Sequence, residues 1–206
     1  MSSGPPPGLV ALLWLALGAP LLPGCALMSP AHVDMTKAVL NKLPGDLQQQ
    51  ATRTATLLVF PPETKPVYAT TQMAYTKQAY QVEYFSRHEW AETPSQMLQP
   101  LMITTLRHTR AFSAVLMPPH AGRVNYVLRS EIVELLQDFM TQPAAMRLGL
   151  HVELSDDATG RVIASKDILV REPMQQSTPE AGVVAANEAV AKALQQVARF
   201  VLDEAA

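Results

Sequence analysis

The stretch that decides the fold is residues 146–154, which read MRLGLHVEL. Every second residue from Met146 to Leu154 is apolar, and the residues between them are polar or glycine. Side chains of a β-strand point alternately to its two faces, so this period of two predicts a strand with one covered and one wet face. Such alternation is typical of antiparallel sheets.

The flanking residues extend this strand into a meander. Residues 126–133, YVLRSEIV, show the same alternation. Residues 155–160, SDDATG, have the composition of a tight turn, and Val162 to Val170 form the returning strand. We therefore predict antiparallel strands joined by a hairpin in the middle third of the chain.

Three shorter strands are predicted before the meander. Residues 57–60, LLVF, form a continuous apolar run that favours a central strand buried on both faces. Tyr75 and residues 80–84 alternate as a hairpin, with Lys77 and Gln78 near its turn. Residues 112–116 form a short strand before two prolines.

Two helices complete the predicted fold. Thr93-Pro94 is a typical helix start, and an apolar stripe then runs to about His108. After Pro179, a long helix carries valine and leucine on one face, with Asn187 on that same face. A polar amide on an apolar stripe needs hydrogen-bond partners inside the fold. The expected class is α+β, an antiparallel-rich sheet with two helices packed on one face.

The first residues predict a lipoprotein signal. Residues 9–22 are apolar apart from Gly18 and Pro20, which suits a signal peptide and is too short to span a membrane. Residues 22–25, LPGC, resemble a bacterial lipobox, which predicts a signal peptide at 1–24 and lipidation of Cys25. The alternative is a general secretory signal with an incidental cysteine. Ala26 resembles the choice that sorts lipoproteins to the outer membrane.

Residues 25–53 are predicted to be the lipidated N-terminus and a tether, and residues 54–206 the folded domain. Met35, Val39 and Leu40 recur at helical spacing, but Pro44-Gly45 breaks the pattern. A lightly ordered linker is the favoured interpretation. The alternative is a short amphipathic turn on the membrane or on a partner.

Composition excludes several classes of protein. Of the 206 residues, Lys and Arg total 16 against 18 Asp and Glu, so no basic excess favours nucleic acid. One cysteine forms neither an internal disulfide nor a Cys-rich metal site. Residues 88–92, HEWAE, carry glutamate where a zinc-protease helix has its second histidine, and Asp156-Asp157 fit a turn better than a calcium loop. We therefore predict a non-enzyme with no metal or cofactor.

Aromatic residues are concentrated between residues 80 and 90. The candidates for partner or lipid contact are Tyr80, Tyr84, Phe85 and Trp90, since large aromatics with a polar end are favoured in interfaces. The alternative is that they pack where a strand meets a helix.

Several motifs in order are similar to a known family. They are Met73-Ala74-Tyr75, Tyr84-Phe85, residues 89–94 (EWAETP), Met97-Leu98, Ala111-Phe112 and residues 184–187 (VAAN). From about Leu57 to Phe200 the chain resembles the ABC-type transport auxiliary lipoproteins, which include the PqiC-like proteins. The resemblance implies a periplasm-facing lipoprotein, anchored by Cys25, that works with an MCE-domain protein and an ABC permease and ATPase in moving phospholipids or other hydrophobic compounds.

Three further expectations accompany this resemblance. A homo-oligomeric ring is one hypothesis, because exposed alternating strands pair at their edges. A second hypothesis makes the domain itself a periplasmic lipid carrier with an acyl chain between helices and sheet. A hydrolase would require a site around His88 or His151, and neither has an evident partner in the sequence.

Overall fold

The computed structural model describes Met1 and residues 34–205. Within these residues the chain forms two helices, α1 (Pro94–His108) and α2 (Pro179–Glu204), and a short 3-10 helix at Pro66–Tyr68. One sheet contains β1 (Thr36–Ala38), β2 (Thr56–Val59), β3 (Glu63–Thr64), β4 (Gln72–Thr76), β5 (Glu83–Trp90), β6 (Ala114–Leu116), β7 (Tyr126–Asp138), β8 (Ala145–Asp156) and β9 (Val162–Pro173). The predicted signal peptide beyond Met1, and Cys25, lie outside the described residues.

The predicted meander is confirmed. β7 pairs antiparallel with β8 along its whole length, and β8 pairs antiparallel with β9. The turn between β8 and β9 is held by Asp156, whose Oδ1 accepts a hydrogen bond from the Thr159 amide at 2.8 Å. Gly160 has a φ of +66°, which glycine adopts without steric cost.

The rest of the sheet differs from the prediction. β2, β3 and β4 follow one another along the second edge of β7 and all run parallel to it. β6 is parallel to β2, and β1 is parallel to β5. The sheet is therefore mixed, and the prediction of an antiparallel-rich sheet is wrong. Alternation in sequence reports which face of a strand is wet, whereas strand direction depends on how the strands are connected and paired in the whole sheet.

The shorter strands lie close to their predicted positions. β2 lies between β6 and β7, with Leu57 and Val59 completely buried and Leu58 half-buried. Its second face is therefore only partly covered. β4 and β5 form the predicted hairpin, although β5 begins at Glu83 rather than near Tyr80.

Both helices pack on the same face of the sheet, as predicted. α2 contacts β8 and β9, α1 contacts β3 and β6, and the helices touch each other. The alternating apolar residues of β8 form part of the core beneath them. Each helix begins at a capping residue: the Thr93 amide donates to Gln96 Oε1 at 3.0 Å, and Thr178 Oγ1 accepts from the Ala181 amide at 3.2 Å.

The first turn of α2 approaches β7 very closely. A Cβ at Gly182 would lie 2.0 Å from the side chain of Gln137, which is itself completely buried. Gln137 Nε2 donates to the Pro179 carbonyl at 3.3 Å. Only glycine permits this contact, so position 182 fixes where the helix begins on the sheet.

The segment before residue 54 is part of the fold from Thr36 onward. β1 pairs with β5, and residues 39–50, here called the N-terminal segment, continue along the helices. Leu40 is 6% exposed and belongs to the core, and the Gln50 amide donates to the Thr109 carbonyl at 3.0 Å. The prediction of a lightly ordered linker is therefore wrong for this segment, because its apolar side chain and backbone groups find partners on distant elements.

Asn187 holds the N-terminal segment on α2. Its Oδ1 accepts from the amides of Asn41 at 2.9 Å and Lys42 at 3.2 Å, and its Nδ2 donates to the Val39 carbonyl at 3.0 Å. The prediction that this amide finds partners inside the fold is confirmed. Its partners come from a segment that was expected to lie outside the domain.

Candidate docking surface

Two loops meet at the end of the sheet where β4 and β7 finish. Residues 77–82 connect β4 to β5, and residues 139–144 connect β7 to β8. The Phe139 amide donates to the Thr76 carbonyl at 2.9 Å, which ties the loops together. Thr76 Oγ1 also lies 3.9 Å from Met140 Sδ. The two loops therefore form one surface, here called the tip.

Tyr80 is the most prominent side chain of the tip. It is fully exposed, and its φ of 65° puts a bulky residue in the left-handed region. Val82 at 38% and Met140 at 51% exposure are the other exposed large apolar side chains there. An exposed tyrosine on a strained backbone next to apolar neighbours is typical of a contact surface.

Aromatic packing supports the tip from below. The rings of Tyr75 and Phe85 lie 4.4 Å apart between centroids, and the Phe139 ring lies 6.0 Å from Tyr75 and 6.3 Å from Phe85. The Tyr75 hydroxyl donates to Glu83 Oε2 at 2.6 Å, and this hydrogen bond raises the pKa of Tyr75. Lys77 Nζ lies 4.8 Å from the Tyr75 ring centre. The cluster gives the hairpin a rigid base.

The structure separates the four predicted contact residues. Tyr80 lies at the tip, whereas Phe85 is half-buried in the aromatic cluster beneath it. Tyr84 is half-buried on the other face of the sheet and donates its hydroxyl to the Val67 carbonyl at 2.9 Å. Trp90 is 2% exposed and belongs to the core. Trp90 is therefore a core residue, as in the alternative interpretation, and of the four only Tyr80 is fully exposed and free to contact a partner.

A charged network that the sequence analysis missed holds the second loop of the tip. Asp138 is 3% exposed, and its Oδ2 lies 3.6 Å from Arg147 Nη1 and 3.4 Å from Arg171 Nη2. Its Oδ1 accepts from the Met140 amide at 2.9 Å. Arg147 also binds Glu134, through Nη2 at 2.6 Å and Nε at 3.1 Å. The charged residues of this network all lie on predicted strands or directly beside them: Glu134, Asp138, Arg147 and Arg171. Their positions in the strands could be read from the sequence, but their contacts depend on the register of β7, β8 and β9.

Tyr68, at the end of the 3-10 helix, packs beside this network on the face of the sheet opposite α1 and α2. It is 8% exposed and contacts Ala74 and Leu136. Burial, followed by the charge of Glu134, raises the pKa of Tyr68 from 10.0 to about 12. The neutral hydroxyl is therefore favoured in the folded state.

This shift predicts a loss of stability at alkaline pH. The unfolded chain loses the Tyr68 proton first, so the stabilising contribution is complete below pH 10 and disappears as pH rises towards 12. Between about pH 9 and pH 11, the free energy of unfolding should fall by about 1 kcal/mol more than in Tyr68→Phe. Urea titrations at both pH values measure this difference. Equal losses in the two proteins would contradict the assigned environment of Tyr68.

The histidines do not assemble a metal site within the described residues. His88 Nε2 lies 2.8 Å from Glu180 Oε1, and His151 Nδ1 lies 2.7 Å from Asp167 Oδ1. Glu180 and Asp167 are both largely exposed. These pairs are surface contacts between neighbouring elements. No helix in the described part of the chain is long and apolar enough to cross a membrane.

Comparison with protein families gives one extensive match. A family model described as the ABC-type transport auxiliary lipoprotein component matches residues 39–198. This range begins in the N-terminal segment and ends in α2. No protein with curated information matches the chain.

Solved structures match the fold at low sequence identity. A Xanthomonas campestris protein of the family DUF330 is 17% identical, covers 83% of this chain and 95% of its own, and has a TM-score of 0.73. A second, uncharacterised protein is 12% identical with coverages of 82% and 99% and a TM-score of 0.65. PelC from Paraburkholderia phytofirmans, described as a dodecamer, is 16% identical over 73% of this chain and 91% of its own, with a TM-score of 0.43. At these identities the likeness of the first two concerns the fold alone.

Proposed function

We propose that this chain, which belongs to the ABC-type transport auxiliary lipoprotein family, is a lipid-anchored, periplasm-facing accessory subunit of an MCE-type transport system. The observation that carries the proposal is the family match over residues 39–198, which coincides with the folded domain from the N-terminal segment to α2. The transported compounds are phospholipids or other hydrophobic molecules. The partners are an MCE-domain protein and an ABC permease with its ATPase.

Acylation of Cys25 attaches the domain to the outer membrane in this proposal. Residues 26–33 lie between that cysteine and the start of the described domain. Even a fully extended chain of this length reaches only about 30 Å. The domain therefore works close to the membrane surface, since the chain from Thr36 onward is bound to the domain, first as β1 and then as the N-terminal segment. More than one acyl chain is needed for a stable anchor of this kind.

The tip is the proposed contact with the MCE protein. Tyr80, Val82 and Met140 offer exposed apolar surface, and the aromatic cluster and Asp138 hold the two loops in place. Tyrosine is enriched among the residues that contribute most to interfaces. A preformed tip loses little conformational freedom when it binds. Phe85 supports this contact from beneath.

Site-specific photocrosslinking tests this proposal. A photoreactive phenylalanine analogue replaces Tyr80 in the full-length protein in its own cells, and crosslinked products are identified by mass spectrometry. The matched control places the analogue at Leu169, which is 74% exposed on β9. We expect an MCE protein crosslinked at position 80 and not at position 169. Equal crosslinking at both positions, or none at 80, would refute the tip as the contact.

The alternative role as a lipid carrier has less support. A cavity of about 320 Å³ lies beside α2 and is lined by Val184, Ala181 and Pro173, but Glu172 and Glu188 also line it. Glu172 pairs with Lys192 and Glu188 pairs with Lys42, and covering these ion pairs with an acyl chain removes their hydration, which is costly. Co-purified lipid that survives detergent exchange would favour the carrier over the accessory role.

A homo-oligomeric ring remains part of the proposal. Edge strands on both sides of the sheet support it, β1 and β6 on one side and β9 on the other, because unpaired edges recruit further strands. Different edges on opposite sides give a head-to-tail contact, which closes into a ring when the rotation permits. Mass measurement of the full-length protein in detergent tests it, and a monomer at all concentrations would exclude it.

A further inference from the structure

A groove lies between the C-terminal end of α1 and the edge of β6. Its volume is about 470 Å³, and it is lined by Thr52, Arg107, Arg110 and residues 112–116. β6 is the last strand on its side of the sheet and pairs only with β2 among the described strands. The groove therefore combines a strand edge, which offers backbone hydrogen bonds, with the end of a helix. It is called the β6 groove below.

The lining of the β6 groove is positively charged. Arg107 and Arg110 supply two guanidinium groups, and no lining residue is acidic. Both arginines are exposed, and neither forms an ion pair with any described residue. The chain as a whole has a formal charge of −2. Two unpaired cations at one groove of an acidic protein favour an occupant with carboxylates.

Arg110 stands where a helix normally ends in glycine. It follows the last residues of α1, its amide donates to the Arg107 carbonyl at 3.1 Å, and its φ is 57°. Glycine adopts this left-handed conformation freely, whereas a side chain with a Cβ is strained there. The Arg110 side chain lines the groove. A guanidinium at this position is favourable for the C-terminal end of α1, and it forms no ion pair with a described residue that would prevent it from binding an anionic ligand.

Arg107 lies across the edge of β6, and its hydrogen bonds to the strand backbone can be replaced by bonds to a ligand. Its Nε and Nη2 donate to the same acceptor, the Val115 carbonyl, at 3.3 and 2.9 Å. Hydrogen bonds from guanidinium to carboxylate are about twice as strong as those between neutral groups. The Val115 carbonyl is a neutral acceptor with one oxygen, whereas a carboxylate offers Arg107 an opposite charge and two oxygens in a bidentate geometry. Moving Arg107 away also exposes the Val115 carbonyl to a new backbone donor.

We propose that the β6 groove binds an extended acidic segment of a protein partner. The segment adds a strand beside β6, its backbone pairs at Val115, and its carboxylates bind Arg107 and Arg110. The half-buried apolar side chain of Leu116 contacts the residues between the acidic ones. This site is separate from the tip, and its proposal does not depend on the role in an MCE system.

A peptide titration tests the proposal. The probe is a fluorescein-labelled hexapeptide of alternating valine and glutamate, titrated with the full-length protein in neutral detergent and followed by fluorescence polarisation. Control peptides replace glutamate by glutamine or by lysine. We expect saturable binding of the glutamate peptide, weakened by salt, and at least about ten-fold weaker binding of both controls. Binding weaker than about 1 mM, or equal binding of all three peptides, would overturn the proposal.

Variants locate the binding on the protein. Arg107→Gln and Arg110→Gly should each weaken the glutamate peptide roughly ten-fold, since each removes a charge-assisted contact. Arg87→Gln, on exposed β5, is the matched control and should leave the affinity unchanged. Arg110→Gly should also raise the urea midpoint of unfolding, because glycine relieves the strained φ. Loss of stability together with loss of binding would instead indicate that Arg110 is a structural residue.

Two other occupants are distinguished by the same variants. Vesicles with phosphatidylglycerol, tested without peptide, report a lipid headgroup as ligand. If Arg107→Gln and Arg110→Gly abolish vesicle binding while the peptide does not bind, the groove serves a headgroup and the proposal is wrong. If the variants change the oligomeric mass and the peptide does not bind, the occupant is a second copy of this chain.

Discussion

Leu40→Ala is expected to lower the free energy of unfolding by about 3 kcal/mol, as typical buried leucines do. Leu40 is 6% exposed and packs into the core where its amide approaches Met97 Sδ at 3.4 Å. Its removal leaves a space between the N-terminal segment and the helices, which only partial relaxation fills. The measurement is urea unfolding followed by circular dichroism.

The neighbouring residue supplies the control for this prediction. Val39 is 47% exposed, so Val39→Ala should change the free energy of unfolding by no more than about 0.5 kcal/mol. Asn187 binds the backbone around both positions, and the two variants thus differ mainly in burial. Equal, small effects of both substitutions would mean that residues 39–50 behave as a linker, as the sequence analysis expected.

Trp90→Ala is expected to lower the free energy of unfolding by about 4 kcal/mol. The indole is 2% exposed at the end of β5, next to the β1 residue Ala38 in the register of the sheet. A large side chain removed from a closely packed interior loses both burial and contacts. Thermal and urea unfolding of the full-length variant measure this effect.

Tyr80→Ala is the matched change in the same group of aromatics. Tyr80 is fully exposed, so its removal should leave the free energy of unfolding within about 0.5 kcal/mol of the parent protein, or raise stability slightly. Its effect should appear in partner recovery instead. If Tyr80→Ala destabilised the domain as much as Trp90→Ala, the division between a core tryptophan and a contact tyrosine would be incorrect.

Much of the architecture follows from local pattern. The alternation in β7, β8 and β9, the Asp156 turn and the starts of α1 and α2 all depend on residues close together in the chain. Such features are encoded by side-chain period and by capping chemistry. The family resemblance carried by short motifs is likewise confirmed over residues 39–198. Lipidation of Cys25 stays a prediction.

The candidate site was only partly predictable. The sequence directed attention to Tyr80, Tyr84, Phe85 and Trp90 as one group because they are close in number. Their positions relative to the core depend on where β5 begins and on which face α1 covers. The support of Met140 by Asp138 and the two arginines was missed, since these residues meet only through the pairing of β7, β8 and β9.

The amino-acid sequence was sufficient to predict the meander of β7, β8 and β9, the hairpin of β4 and β5, the two helices on one side of the sheet, and the family. Tertiary structure alone decided the parallel direction of β2, β3 and β4 beside β7, and the inclusion of the N-terminal segment. The reason is the range of the interactions involved. Period and capping act within a few residues, whereas strand direction and the contact of Asn41 with Asn187 join positions far apart in the chain. These long-range contacts are selected by the packing of the whole domain.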